Sequence, residues 1–186
     1  MTSGSDQVGN SVDAVGAVAE RLIRDVPDFP LPGVMFKDLT PLFADGPALR
    51  RVVDWFVAGQ DAGSFDLVAG IEARGFVLAG GISYAAGVGV VPVRKAGKLP
   101  RTALSQSYAL EYGEATLEIH ADAFPQGSRV LVVDDVLATG GTIEATLALV
   151  ERAGATVAGV AVVLELSFLG GRDRLAPMGV KALVRA

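Results

Sequence analysis

Short apolar runs alternate along this chain with longer stretches in which apolar residues recur every three or four positions. Short, mostly apolar segments occur at Asp66–Gly70, Gly89–Val93, Val130–Val133, Val157–Leu164 and Val180–Val184, and Val130–Val133 is unbroken. Their length and their valine content predict strands, and Val130–Val133 has the character of a strand buried on both faces. Between them lie helical patterns: Gly75–Ala86, rich in small residues, a segment with Ile143, Leu147 and Val150 at i, i+4 and i+7, and Gly171–Leu175. Two further helices precede the first strand. One runs from a cap at Ser11 to about Arg24, with Val15, Val18, Leu22 and Ile23 on its apolar face. The other runs from Pro47 to about Gln60, with proline in the first turn, where its missing N–H is harmless, and with Trp55 and Phe56 turned to the core. Strand and helix in alternation predict an α/β fold, a central mostly parallel sheet flanked by helices.

Three stretches break that rhythm. Residues 1–10 are small and polar and are expected to be disordered. Asp25–Gly33 carries Pro27, Pro30 and Pro32, which forbid a helix and predict an irregular segment. Thr102–Ala123 alternates (Tyr108, Leu110, Tyr112, then Leu117, Ile119), the pattern of a β-hairpin turning at Gly113. A connection of that length inside a compact domain is more often functional than decorative.

Composition narrows the functional classes. At 186 residues the chain fits a single domain, expected over residues 11–186. It has no cysteine, so disulfides, thiolate metal sites and a cysteine nucleophile are excluded. Its one histidine, His120, lies between Glu118 and Asp122 in a polar stretch and reads as a surface residue. The net charge of −5 argues against nucleic acid as a partner. No segment reads as a membrane span, so no membrane partner is expected. The N-terminus lacks the basic start and apolar core of a signal peptide, which makes a cytoplasmic location the expectation.

Candidate chemistry concentrates around Arg129–Thr142. The apolar strand ends in Asp134 and Asp135, followed by Ala138-Thr139-Gly140-Gly141-Thr142 and a helix. Glycines allow backbone N–H groups to approach an anion, threonines add hydroxyl donors, and the helix N-terminus adds partial positive charge. The two carboxylates are acceptors and cannot hold the same anion; they suit the vicinal hydroxyls of a sugar. Phosphate on one side and a diol on the other describe a ribose 5-phosphate. The segment lacks the lysine of GxxxxGK[ST] and is not GxGxxG. Two more loops leave strand ends on the same edge. In Gly70-Ile71-Glu72-Ala73-Arg74-Gly75, the backbone and Arg74 are placed for a second phosphate, unless Arg74 simply pairs with Glu72. Arg94-Lys95-Ala96-Gly97-Lys98-Leu99-Pro100-Arg101 collects basic charge in an acidic protein. A charge run is usually a solvated face, but its place at a strand end favours phosphate.

These motifs together resemble the type I phosphoribosyltransferases, and most closely the adenine phosphoribosyltransferase branch. Asp28–Asp38 is similar to that branch's base-binding hood, and Ser107-Tyr108-Ala109-Leu110-Glu111-Tyr112-Gly113 to its flexible catalytic flap. The resemblance spans about Asp28–Pro177 and implies that fold, with an N-terminal hood over residues 11–45 and a β-flap over 100–123. The activity it implies is purine salvage: transfer of the 5-phosphoribosyl group from 5-phospho-α-D-ribose 1-diphosphate (PRPP) to adenine, giving AMP and diphosphate. Asp134, Asp135 and Ala138, Thr139, Gly140, Gly141, Thr142 would bind ribose 5-phosphate. Glu72, Ala73, Arg74, Lys95 and Lys98 would meet the pyrophosphate, with a cis peptide at Glu72-Ala73. Met35, Phe36 and Lys37 would bind adenine, the first and last through their backbone. Glu111 would handle the adenine proton, or be an exposed flap acid, and Tyr112 would shield the reaction from water; with Arg74 they form the catalytic set. Phe168 or Leu166 would pack on the base, or in the core. Family members often have Asp-Ser where this chain has Glu72-Ala73, and arginine where it has Lys37. No protein metal cage is visible, so the implied Mg²⁺ would ride on substrate oxygens. A homodimer is implied by the resemblance alone. A transferase for a 6-oxopurine, or a PRPP-binding regulator without catalysis, are the alternatives, each disfavoured by the flap, the hood or the charge.

Overall fold

The computed structural model describes residues 5–61, 63–109, 113–176 and 178–186, with side chains described from residue 14 onward. Helix α1 (Ser5–Leu22) starts ahead of Ser11, inside the stretch expected to be disordered. Each residue added to an existing helix gains a hydrogen bond at small further cost, so a helix extends into polar sequence more readily than it nucleates there. Strand β1 (Arg24–Pro27) pairs antiparallel with β2 (Met35–Asp38), Arg24 opposite Asp38 and Pro27 opposite Met35. The proline-rich stretch is therefore only partly irregular. Its first proline closes a strand, where the lost N–H is tolerated.

A short helix α2 (Thr40–Ala44), absent from the sequence reading, precedes α3 (Gly46–Ala58). The carboxylate of Asp45 caps α3 by accepting from the Ala48 N–H at 2.9 Å, with Pro47 beside it in the first turn. Then follow β3 (Leu67–Ile71), α4 (Gly75–Ala86), β4 (Gly89–Lys95), the hairpin β5 (Ala103–Ala109) and β6 (Glu114–His120), and β7 (Arg129–Leu137). The chain closes with α5 (Gly141–Arg152), β8 (Thr156–Glu165), a 3-10 turn (Ser167–Leu169), α6 (Gly171–Arg174) and β9 (Val180–Arg185).

Seven strands form one sheet in the order β5-β6-β4-β3-β7-β8-β9, parallel from β4 to β9 and antiparallel where the hairpin joins β4. Along β7, Val130 and Val132 face one side and Leu131 and Val133 the other, all four fully buried, as a two-faced core strand requires. One face is covered by α1, α3 and α4 through Ala19, Phe56, Leu78 and Ile82. The opposite face is covered by α5 and the hairpin through Ile143, Leu149, Leu117 and Ile119.

Chain direction across the sheet reverses between β3 and β7: from β3 the path goes outward to β4, from β7 the other way to β8 and β9. That is a topological switch point, where loops diverge and leave a crevice at the carboxyl ends of the strands. At the opposite end, Arg129 grips the Asp66 carboxylate through Nη2 at 2.6 Å, Nε at 3.1 Å and its own N–H at 2.9 Å. This contact pins the starts of β3 and β7 together, so that both empty into the same crevice.

Candidate active site

The aspartates follow the apolar run directly, as read, but the strand does not end with that run and continues through them to Leu137. Pairing with β8 carries β7 on through Asp134 opposite Val162, Val136 opposite Leu164 and Leu137 opposite Glu165. Pairing with β3 stops at Val133. The strand therefore overhangs its neighbour, and the two carboxylates stand at the switch point itself. Asp135 is 5 % exposed and Asp134 half-buried, and the Asp135 N–H donates to Asp134 Oδ1 at 2.9 Å. Burial pushes both carboxyls up from the usual carboxylate range. For Asp134 the neighbouring Asp135 charge adds to the rise, and for Asp135 Arg74 opposes it. Arg74 Nε lies 2.7 Å from Asp135 Oδ2, close enough for a charge contact but without hydrogen-bond alignment, so among the described residues Oδ2 is a buried acceptor lacking a donor.

Immediately beyond β7 the chain turns into α5 through Gly140, whose φ of 83° favours glycine. Its N-cap, Gly140, has no side chain to cap the helix, and the helix start borders a small cavity of ≈ 60 Å³ lined by residues 136–143. Ala138 and Thr142 are half-buried on its rim and Thr139 is exposed. Gly141 sits in a tight place: a Cβ there would stand 3.4 Å from the Tyr108 ring, 3.6 Å from the Ala109 carbonyl and 3.5 Å from Arg174 Nη1.

The second turn follows β3. The Glu72-Ala73 peptide is cis, as the resemblance implied. Glu72 does not pair with Arg74. Its Oε2 accepts from Arg94 Nε at 2.9 Å and from the Lys95 N–H at 3.0 Å, which draws its carboxyl below the usual range and ties this turn to the basic loop after β4. Lys95 and Lys98 are exposed on that loop, and no ion pair among the described residues engages either. Gly75 brings the turn against the aspartates: a Cβ there would stand 2.9 Å from the Val133 carbonyl and 3.1 Å from Asp134 Oδ1.

The third wall is the β1–β2 ribbon. The Arg74 guanidinium lies 5.0 Å from the centre of the Phe36 ring, which meets Phe29 edge-on at 5.0 Å. Phe29, Leu31, Val34 and Met35 are exposed although apolar, an arrangement suited to a flat aromatic ligand. Lys37 sends its ammonium to Asp25 at 2.6 Å, so only its backbone remains for a ligand. Phe168 is 77 % exposed, which excludes it from the core, whereas Leu166 packs against the α1–α3–α4 side. His120, read as a surface residue, is half-buried with Nδ1 unpartnered among the described residues.

Leu110, Glu111 and Tyr112, including two of the predicted catalytic residues, lie outside the described residues. Sequence reasoning placed Arg94 in the basic loop but missed its pairing with Glu72, and it missed Tyr108 and Arg174 as neighbours of Gly141. The alternation of the hairpin placed Tyr108 on a face but not against Gly141. Arg174 had no local signal, since it reaches the turn from α6. Among the described residues there is no group of three or more His, Cys, Asp or Glu side chains that would cage a metal.

The crevice thus holds the Ala138–Thr142 and Glu72–Gly75 turns with a carboxylate pair between them and an apolar ribbon alongside. Residues 45–177 match the phosphoribosyl transferase domain family. Over 175 residues the chain is 71 % identical to the adenine phosphoribosyltransferase of Salinispora arenicola, covering 92 % of this chain and 93 % of that one. It belongs to the adenine phosphoribosyltransferase family. The solved family member from Rhodothermus marinus superposes with a TM-score of 0.89 at 46 % identity, over 94 % of this chain and 99 % of that one. The Saccharomyces cerevisiae member, solved with an imino-altritol bisphosphate and adenine, superposes with a TM-score of 0.85 at 35 % identity, over 92 % and 99 %. The family fold, a type I phosphoribosyltransferase sheet flanked by helices, is the architecture described above. The domain match opens at residue 45, after the ribbon, whereas the likeness to individual family members takes in most of the ribbon segment too.

Proposed function

We propose that the chain transfers the 5-phosphoribosyl group of PRPP to adenine, giving AMP and diphosphate, as a step of purine salvage in the cytoplasm. The observation that carries this reading is the buried Oδ2 of Asp135, in charge contact with Arg74 but without a hydrogen-bond donor among the described residues, set between the two turns. A ribose diol supplies the donors it lacks, and a sugar phosphorylated at both ends fills the turns on either side. No described helix is long and apolar enough to cross a membrane.

In this reading the uncapped start of α5 with Thr139 and Thr142 holds the 5′-phosphate, and Asp134 and Asp135 accept from the ribose hydroxyls. The Glu72-Ala73-Arg74 turn, with Lys95 and Lys98, receives the diphosphate. Adenine lies on the ribbon beside Phe36. Pro27 has no N–H to offer Met35 across the ribbon, which suits a register in which backbone groups of Met35 and Lys37 face outward to the base. As the C1′–O bond to diphosphate lengthens, positive charge grows on the ribose ring. Adenine N9 attacks C1′ from the opposite face and the diphosphate departs with the bonding pair. Arg74 and the basic loop oppose the charge gathering on the leaving group, and the carboxylates favour the cationic ribose. Glu111 takes the proton released from adenine, and Tyr112 covers the reaction. Oxygen ligands suit Mg²⁺, which would be held mainly by substrate oxygens and water, with Asp134 and Asp135 the nearest carboxylates available to it, and would neutralise diphosphate charge. The unit is a homodimer.

Diphosphate release from PRPP and Mg²⁺ tests the assignment, with adenine, hypoxanthine, guanine and xanthine supplied separately. Turnover is expected with adenine, and Glu111→Ala is expected to reduce it by roughly 10²–10⁴-fold. Turnover with an oxopurine in place of adenine would sink the reading of the ribbon.

A further inference from the structure

We propose that Arg174 binds the 5′-phosphate alongside the Ala138–Thr142 turn, and that Glu144 is the positioning residue that aims it. This rests on the phosphoribosyl site proposed above.

Helix α6 is only four residues long and is held in place from behind. Arg172 donates from Nε to Glu165 Oε1 at 2.9 Å and from Nη1 to the Val180 carbonyl at 2.9 Å, and Leu175 is buried beneath. Its first residue abuts the turn: a Cβ on Gly171 would run into the Ala138 carbonyl, and one on Gly140 would stand 3.0 Å from the Gly171 carbonyl. The Arg174 side chain then crosses the turn. Its Cδ lies 3.5 Å from the Gly140 Cβ position, and its Nη1 lies 3.5 Å from that of Gly141.

Nε and Nη2 of Arg174 are both engaged by one oxygen, Glu144 Oε2, at 2.8 Å and 2.7 Å. Among the described residues no hydrogen bond or ion pair engages Nη1, the atom beside Gly141. Glu144 occupies the first turn of α5. A carboxylate there suits a helix N-terminus but repels a phosphate bound at the same place. The turn itself carries no cation to offset that repulsion, while a phosphate monoester brings a charge of about −1.5 to −2. Arg174 resolves the conflict. It neutralises Glu144 with one edge of the guanidinium and presents the other edge toward the turn, in the fork geometry that matches phosphate oxygens.

The test measures AMP and ribose 5-phosphate dissociation constants by calorimetry on the full chain, and the KM for adenine at saturating PRPP. Arg174→Gln should weaken both phosphate ligands roughly tenfold to a hundredfold, with the adenine KM unchanged. Glu144→Gln should leave them bound as tightly or more tightly, because it removes the repelling charge and keeps the arginine. Arg174→Lys should restore part of the loss. Equal weakening by Arg174→Gln and Glu144→Gln would make the pair a structural brace and overturn the proposal. So would wild-type AMP affinity in Arg174→Gln, or a parallel rise in its adenine KM. If the unaltered chain binds neither phosphate ligand, the reading of the whole site fails, and the role of Arg174 fails with it.

Discussion

At the scale of single residues, the aspartate pair shows a site working against its own fold. Burial, then the neighbouring charge, raises the Asp134 carboxyl above its value in an unfolded chain. A carboxyl raised in this way adds stability only while protonated. The contribution is present below the unfolded value near 3.8 and disappears as pH climbs through the folded value. Ionising the pair therefore costs stability at the strand end, and hydroxyl donors from a ligand offset that cost. Asp134→Asn keeps an acceptor for the Asp135 N–H and removes the charge. The variant is expected to melt higher than the unaltered chain at pH 7, by roughly 2–4 °C for each kcal/mol relieved, with the advantage shrinking toward pH 3. Phosphoribosyl transfer should fall sharply. Calorimetry from pH 3 to 8 checks this, and a lower melting temperature at pH 7 would show that the pair stabilises the strand.

Between elements, the deciding contact is the approach of the β3–α4 unit to β7 at Gly75. Gly75→Ala places a methyl 2.9 Å from the Val133 carbonyl, a backbone atom that has no rotamer to yield. The helix start must retreat and take Arg74 away from Asp135. A loss of about 1–3 kcal/mol is expected from overpacking, with kcat/KM for PRPP down by as much as roughly a hundredfold. Denaturant melts and PRPP-dependent kinetics measure the two effects, and an unchanged KM for PRPP would mean that the two turns act independently. This contact also shows what was legible beforehand. The valine runs announced β7 and β8 because burial on both faces leaves a continuous apolar record, and β4 was legible from its valines although Val90 and Pro92 are exposed. Gly75–Ala86 was readable as a helix for its full length. The motif residues could be assigned to the same edge because parallel strands send all their carboxyl ends one way. Positions set by tertiary partners were not readable. The extension of β7 through Asp134 and Asp135 depends on β8, the pairing of β1 on β2 reaching across the prolines, and Glu72 chose Arg94 over Arg74 because β4 brings it alongside. The Arg174 reach from α6 to the phosphate turn spans more than thirty positions from Gly141, and no local pattern encodes it.

For the molecule as a whole, the same helix that opens after the Glu72-Ala73-Arg74 turn carries a surface that does not suit a lone protomer. Helix α4 contains no charged residue in its twelve positions. Val77 is 45 % exposed and Tyr84, two turns further along the same face, is 91 % exposed. Its inward face is filled by Leu78 and Ile82, so the outward one has no partner within the described chain. An uncharged stripe with a protruding aromatic is the composition of an interface centre rather than of a solvated helix. A second copy of the chain is the occupant that the proposed homodimer supplies, and because α4 begins directly after Arg74, association there would buttress the diphosphate turn. Sedimentation equilibrium should give a mass near twice 19.1 kDa. Tyr84→Arg should shift that mass toward one chain at micromolar concentration and raise the KM for PRPP more than that for adenine. If Tyr84→Arg sediments as the unaltered chain does, this face is not where two copies meet, and a mass of one chain for the unaltered protein would dispose of the dimer altogether.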